Sequence, residues 1–276
     1  MYTIDGVPLS DPLHRWRVHR ETQRRTPVAF RSVDVDVPGV DGNIPIYGEN
    51  IEATALSLEL NVYGLPGEIE ERVGFLRSLL GRTTGPLMVG KRGGLVAEAK
   101  PVSMSDPVEA DHYARLSVTL AIPAGVWRGA EATWTHPAPT SSTPQVVTAL
   151  DGASRPITDS LLLITGPATT PIVTDAATGS TVRYTGQVPA GQKLLIDTAG
   201  WRAALGTGVS WGSTGTNATD KITSTGPRSD THLLPLTPIP AVTDAGELTT
   251  APKLAFTATS TTEATALQVR GRTSHL

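Results

Sequence analysis

The residues best able to do chemistry in this 276-residue chain lie in one Gly/Ser/Thr-rich stretch. Gly208-Val209-Ser210-Trp211-Gly212 matches the G-x-S-x-G pattern of a nucleophilic serine, and Asp220, Asp230 and His232 follow in the order serine, acid, base. That pattern works on a sharp turn from an apolar strand into a helix, which lifts the hydroxyl out to meet its base. Here Ala203-Ala204-Leu205-Gly206-Thr207 precedes it and Ser213-Thr214-Gly215-Thr216 follows, so neither the buried strand nor the helix is expected. The match reads as chance, and Ser210 and His232 as chemically idle.

Other candidate sites are weaker. His112 lies near Asp106, Glu109 and Asp111, but metal ligands must converge on one point, and a single histidine among loop acids reads as solvated. Asp34, Asp36 and Asp41 with Asn43 imitate a calcium loop without its closing bidentate glutamate. Asn217-Ala218-Thr219 is a glycosylation sequon by pattern alone. Arg15, Arg17, Arg20, Arg24 and Arg25 could form a phosphate-binding arm, although a run interleaved with Glu21 reads as a solvated or interface strand. Among the tryptophans, Trp127, Trp134, Trp201 and Trp211 invite a sugar-stacking reading. Trp127 and Trp201 sit beside strand ends in apolar company and are expected in the core, whereas Trp211 is expected exposed, the one candidate glycan contact. No catalytic residue, cofactor or metal ligand is assigned.

Composition points the same way. The chain is 39% hydrophobic and 18% charged, enough for packed cores, and its net charge is −3. Lys and Arg number 14 against 16 Asp and Glu in residues 1–130, leaving 9 against 10 afterwards, so neither half is a basic nucleic-acid surface. Cysteine is absent, which excludes disulfides and thiol chemistry. No signal peptide and no membrane span is read from the sequence, so synthesis in a cytoplasm is expected.

Threonine separates two halves, with 7 in residues 1–130 and 31 in residues 131–276. The expected organisation is a domain over 1–135, a Pro/Ser/Thr linker over 136–145, where prolines 137, 139 and 144 interrupt regular pairing, and a second domain over 146–276. In the first domain apolar residues alternate at Val33, Val35 and Val37, at Leu56, Leu58, Leu60 and Val62, and at Leu116, Val118, Leu120 and Ile122. That alternation predicts antiparallel strands with one buried face. Ile69, Val73, Leu76 and Leu80, spaced 4, 3 and 4, predict a single helix over 67–80 that packs this stripe on the sheet, with Glu68, Glu70 and Glu71 in its first turn and Gly81 as its cap. The second domain predicts strands over 161–165, 181–185, 193–197, 254–258 and 266–270, in a sandwich of jelly-roll or galectin-like kind, with 206–231 as a long exposed loop.

Certain residues in order carry a resemblance. Pro156-Ile157-Thr158-Asp159, Gly166-Pro167, Thr178-Gly179-Ser180 before Val182-Arg183-Tyr184, and Ala190-Gly191 before Leu195-Ile196-Asp197 resemble the C-terminal domain of siphophage distal tail proteins. Val37-Pro38-Gly39-Val40-Asp41-Gly42, set between two strands, and Pro123-Ala124-Gly125-Val126-Trp127 resemble the N-terminal belt of this siphovirus tail component (minor tail protein) family. The resemblance covers nearly the whole chain. It implies a mostly β structural protein of the virion: an N-terminal belt domain with one packed helix, closing a six-fold ring, and a C-terminal galectin-like sandwich projecting outward. The partners implied are the tail tube protein on one side and tail-tip, baseplate or fibre proteins on the other, with DNA passing through unbound. Two rival readings are a glycan-binding module of the tail tip and a tail-tip hydrolase.

Overall fold

The computed structural model describes every residue except positions 1, 20, 21, 23–29, 32, 33, 37–42, 46–49, 52, 83, 111, 213, 214, 228, 230, 243 and 244; at 30, 31, 34–36, 43–45, 50, 51 and 109 it describes backbone alone. Among these residues the chain is mostly β, its strands paired antiparallel, with one α-helix. Contacts divide it into two units, Met1–Arg128 and Gly129–His275, each with its own apolar core. The division falls inside the strand Trp127–Thr135, ahead of the 136–145 segment expected as a linker. That segment is not free of regular pairing. Ser141–Val146 is a strand on Leu248–Thr259, and Pro144 falls where the register slips between Ser141 and Gln145, so its missing donor interrupts no ladder bond.

In the first unit, strand Thr54–Tyr63 pairs along its whole length with Tyr113–Ile122, from Thr54 opposite Ile122 to Tyr63 opposite Tyr113. Leu56, Leu58, Leu60 and Val62 face inward with Ala114, Leu116, Val118, Leu120 and Ile122, all buried. Trp16–Val18 extends this sheet at one edge. At the other, Leu95–Met104 changes partners along its length: residues 95–99 pair with Leu87–Lys91, and residues from 100 onward pair with Tyr113–Ile122, with a register slip after Pro101. Asp34–Asp36 and Asn43–Pro45 form a small hairpin, so strands flank the Val37–Gly42 segment, which itself lies outside the described residues along with Val33.

The helix runs Pro66–Leu80 and buries Ile69, Val73, Leu76 and Leu80 in the same core as the sheet. Proline at its first position loses no hydrogen bond, because that N–H has no partner inside the helix. The start one residue earlier than expected leaves Glu68 alone in the first turn, where its carboxylate accepts from the Leu65 N–H at 3.2 Å. Glu70 and Glu71 fall in the second turn. Gly81 does not take the left-handed conformation expected of a cap. Its φ is −90°, and its N–H donates to the Arg77 carbonyl at 2.8 Å. A Cβ there would lie 2.7 Å from that carbonyl oxygen, so crowding is what requires the glycine.

The second unit is a two-sheet sandwich. One sheet orders Ala266–His275, Leu161–Thr165, Lys193–Asp197, Arg202–Gly206 and Thr216–Asn217 side by side. The other orders Ser141–Val146, Leu248–Thr259, Ala168–Asp175, Thr181–Tyr184 and Ile222–Thr225, with Pro238–Val242 also pairing to Leu248–Thr259. Leu162, Ile164, Leu194, Ile196, Leu267 and Val269 of the first sheet share a core with Val173, Val182, Tyr184, Leu254 and Phe256 of the second. Asp175 ties the second sheet's turn: its buried carboxylate accepts from the Thr178 N–H and hydroxyl and from the Thr237 N–H, and burial pushes its pKa up. The 206–231 segment is not one long loop. It contributes the strands Thr216–Asn217 and Ile222–Thr225 around a short turn of 3₁₀ helix, with Ala218 buried.

Candidate functional site

The serine motif lies in a turn joining strand Arg202–Gly206 to strand Thr216–Asn217 of the same sheet. Val209 is tucked inside this turn, and a Cβ on Gly215 would lie 2.5 Å from Val209 Cγ2, so the loop closes on itself. Ser210 is exposed. Strand-turn-strand geometry does not raise a serine over a helix N-terminus, so the elbow that the pattern requires is not formed. Asp220 is exposed on the 3₁₀ turn, and Asp230 lies outside the described residues. A fluorophosphonate probe is expected to leave the chain unlabelled by intact mass; labelling at Ser210 would overturn this reading.

Of the acids near His112, only Asp106 lies fully among the described residues, and it is turned to another partner. Asp106 is held by Arg77 at 2.9 Å near the helix C-terminus, while His112 is exposed and its carbonyl accepts from the Gly64 N–H. Asp111 and Asp41 lie outside the described residues, as do the side chains of Glu109, Asp34, Asp36 and Asn43.

Two tryptophans depart from expectation. Trp201 was expected in the core beside a strand end, but it stands at the turn between Lys193–Asp197 and Arg202–Gly206 with φ of +51° and 41% exposure. A hairpin turn has no facing sheet to cover its ring. Trp211, expected exposed, is half-buried, with the Arg270 guanidinium 5.7 Å from its ring centroid. Trp127 is 1% exposed, and the Lys91 ammonium lies 4.3 Å from its ring centroid; burial lowers that lysine's pKa.

What the first unit assembles is a polar cleft on the sheet face turned away from the helix. Arg17 pairs opposite Asn61, and Asn61 opposite Arg115, so three side chains of one row cross three adjacent strands. Their neighbours Val62, Leu60 and Leu116 point into the core, and strict alternation sends this row outward. The cleft holds 650 Å³, and His14, Arg17, His19, Asn61 and Tyr63 line it. Arg17 approaches His14 Nδ1, and Arg115 approaches His19 Nε2, each at 3.4 Å. Asn61 Nδ2 donates to the Tyr63 hydroxyl at 3.3 Å, while Asn61 Oδ1 is buried and accepts no hydrogen bond from the described residues. At one end Asp11 accepts from Arg15 Nε at 2.9 Å, and that guanidinium holds the carboxyl pKa down at about 2. Arg15 is thereby committed, and it also lies over the Trp16 ring at 4.9 Å. Arg20, Arg24 and Arg25 lie outside the described residues. The sequence marked the arginine run; it did not mark Asn61 or Arg115, which only strand register brings beside Arg17.

The whole chain superposes on the crystal structure of SPP1 Dit (gp 19.1), described as a paradigm of the hub adsorption apparatus in phages infecting Gram-positive hosts. The match covers 100% of this chain and 98% of that one, with a TM-score of 0.61 and 16% sequence identity. The chain has the siphophage distal tail protein fold. No protein-family model matches it, and neither does any curated protein sequence. At 16% identity the match shows the fold, and surface residues such as the Arg17, Asn61 and Arg115 row are read from this chain alone. No helix among the described residues is long and apolar enough to cross a membrane.

Proposed function

We propose that this chain is a structural subunit of a phage virion, the distal tail hub joining the tail tube to the tip of a long non-contractile tail. The observation that carries the reading is the end-to-end structural match to the SPP1 hub protein, which spans both units rather than one common sandwich. The first unit forms the ring, six copies in the resembling family, and the tube protein and the tip or fibre proteins are its neighbours on either side. A net charge of −3 favours DNA passage without retention, since phosphate contacts require a basic lining.

Negative-stain images of the purified chain, alone and mixed with the tube protein of the same particle, are expected to show closed rings. Mass photometry returning only monomer in both samples at micromolar concentration would overturn the reading. The hydrolase alternative is tested in the assembled particle. Ser210→Ala with His232→Ala is expected to leave assembly and infectivity unchanged, within the roughly 0.5 kcal/mol usual for surface positions. Normal assembly with lost infectivity would instead favour catalysis.

A further inference from the structure

Helix Pro66–Leu80 carries an outward face that its own fold does not explain. Gly67, Glu71, Gly74 and Ser78 recur at the helical repeat on the side away from the buried stripe, and all four are exposed. Gly74 stands in the middle of the helix, where glycine is the poorest helix former short of proline. A Cβ there would meet nothing within 4 Å, so no contact within the described chain demands a glycine. Beside it Phe75, which meets the Trp16 ring at 5.5 Å on one side, is still 47% exposed. A glycine that the fold does not need, next to an exposed ring, suits the close approach of another backbone.

Charge on this helix is uncompensated in one place. Arg72 is paired with Glu68 at 3.2 Å and Arg77 with Asp106 at 2.9 Å, whereas Glu70 and Glu71 make no ion pair among the described residues. Both stand in the second turn, beyond the reach of the positive helix terminus, so the helix dipole does not account for them. On the opposite side of the same layer Glu59 faces His19 Nδ1 at 3.5 Å, and neither Arg17 nor Arg115 pairs with it. Arg17 and Arg115 have no carboxylate partner among the described residues, and between them lies the buried, unpartnered Asn61 oxygen.

We propose that the helix face of one copy seats on the Arg17, Asn61 and Arg115 face of the next, with Glu70 and Glu71 against the two guanidinium groups and Gly74 permitting the approach. The occupant is a second copy of this chain because each surface supplies what the other lacks. Among the described residues, Glu70 and Glu71 make no ion pair on one side of the layer, and on the other Arg17 and Arg115 pair with no carboxylate, the acid beside them, Glu59, facing His19 at 3.5 Å. Surfaces on opposite sides make the contact heterologous: each copy offers its helix to one neighbour and its sheet to the other, and repetition closes a ring or extends a filament. This inference rests on the ring reading above and names the surfaces that make it.

Charge reversal in the full chain tests it. Glu70→Lys with Glu71→Lys, and separately Arg17→Glu with Arg115→Glu, are each expected to weaken assembly about a hundredfold or more through like-charge juxtaposition, read by mass photometry. Each is expected to keep the wild-type melting temperature. A chain carrying all four changes is expected to assemble again, as is an equimolar mixture of the two double variants, because each restores opposite charges at every contact. Gly74→Leu is expected to raise the melting temperature through better helix propensity while blocking assembly, an outcome that misfolding cannot produce. Rings formed as readily by both reversal variants as by wild type would overturn this interface and leave the ring reading standing. Wild type that stays monomeric with the tube protein present would overturn both. Reversal variants that fail to assemble and are not rescued by combination would show that these residues act other than against each other.

Discussion

Leu76→Asp is expected to unfold the first unit while the second keeps its structure. Leu76 is 0% exposed and belongs to the stripe that the helix turns toward Leu56, Leu58, Leu60, Leu116 and Leu120. A carboxylate placed there loses its hydration, and none of these residues can hydrogen-bond it. An uncompensated buried charge costs about 3–5 kcal/mol, against roughly 5–15 kcal/mol of total stability for a domain. Loss of the leucine's own burial and packing adds about 2–5 kcal/mol, as in large-to-small core changes. Together these match or exceed what one unit has. Calorimetry of the full chain is expected to lose one transition, and limited proteolysis to cut within residues 54–122 while sparing 160–275. Leu76→Met, which conserves volume, is expected to melt within a few degrees of wild type. A Leu76→Asp chain with both transitions intact would show that the stripe is not core.

This unit was readable in the sequence because its signals are periodic and local. Alternation at Leu56, Leu58, Leu60 and Val62 can serve only one face of a strand, and the spacing of Ile69, Val73, Leu76 and Leu80 only one stripe of a helix. What escaped was written in register. Arg17 and Arg115 are 98 positions apart, and nothing in the pattern of either strand announces that both lie opposite Asn61. The strands missed in the second half failed for a different reason. Ala168–Asp175 contains Pro171, which argues against a strand until the register slip between Thr169 and Ile172 shows the proline standing in a bulge, with Thr170 at φ of +50°. His136, assigned to the linker, is 4% exposed and meets the Trp134 and Phe256 rings edge-on, because the prolines that follow it bend the chain without removing it from the core. Trp201 and Trp211 were interchanged in exposure because burial of a large ring depends on what faces it, which composition near a strand end does not report.

Phe256→Ala is expected to be the most damaging single truncation in the second unit. Phe256 is fully buried and lies in Leu248–Thr259, the strand that pairs on both sides: Phe256 is opposite Ser141 on one neighbour and Val173 on the other. Its ring approaches His136 at 6.1 Å and 69° and shares the core with Val182, Tyr184 and Leu254. Neighbouring strands fix the backbone on each side, so the site cannot collapse to fill the space left by a deleted ring. The loss is therefore expected near the top of the range for such changes, about 3–5 kcal/mol. In a unit of this size each kcal/mol moves the midpoint by roughly 2–4 °C, so its transition is expected to fall by about 10 °C or more. Because the two cores share no residue, the transition of Met1–Arg128 is expected to stay where it is. Phe256→Leu, which leaves a smaller void, is expected to recover more than half of the loss. If Phe256→Ala melts like wild type, the ring is not a central support of the sandwich; if both transitions fall equally, the two units do not unfold as separate bodies.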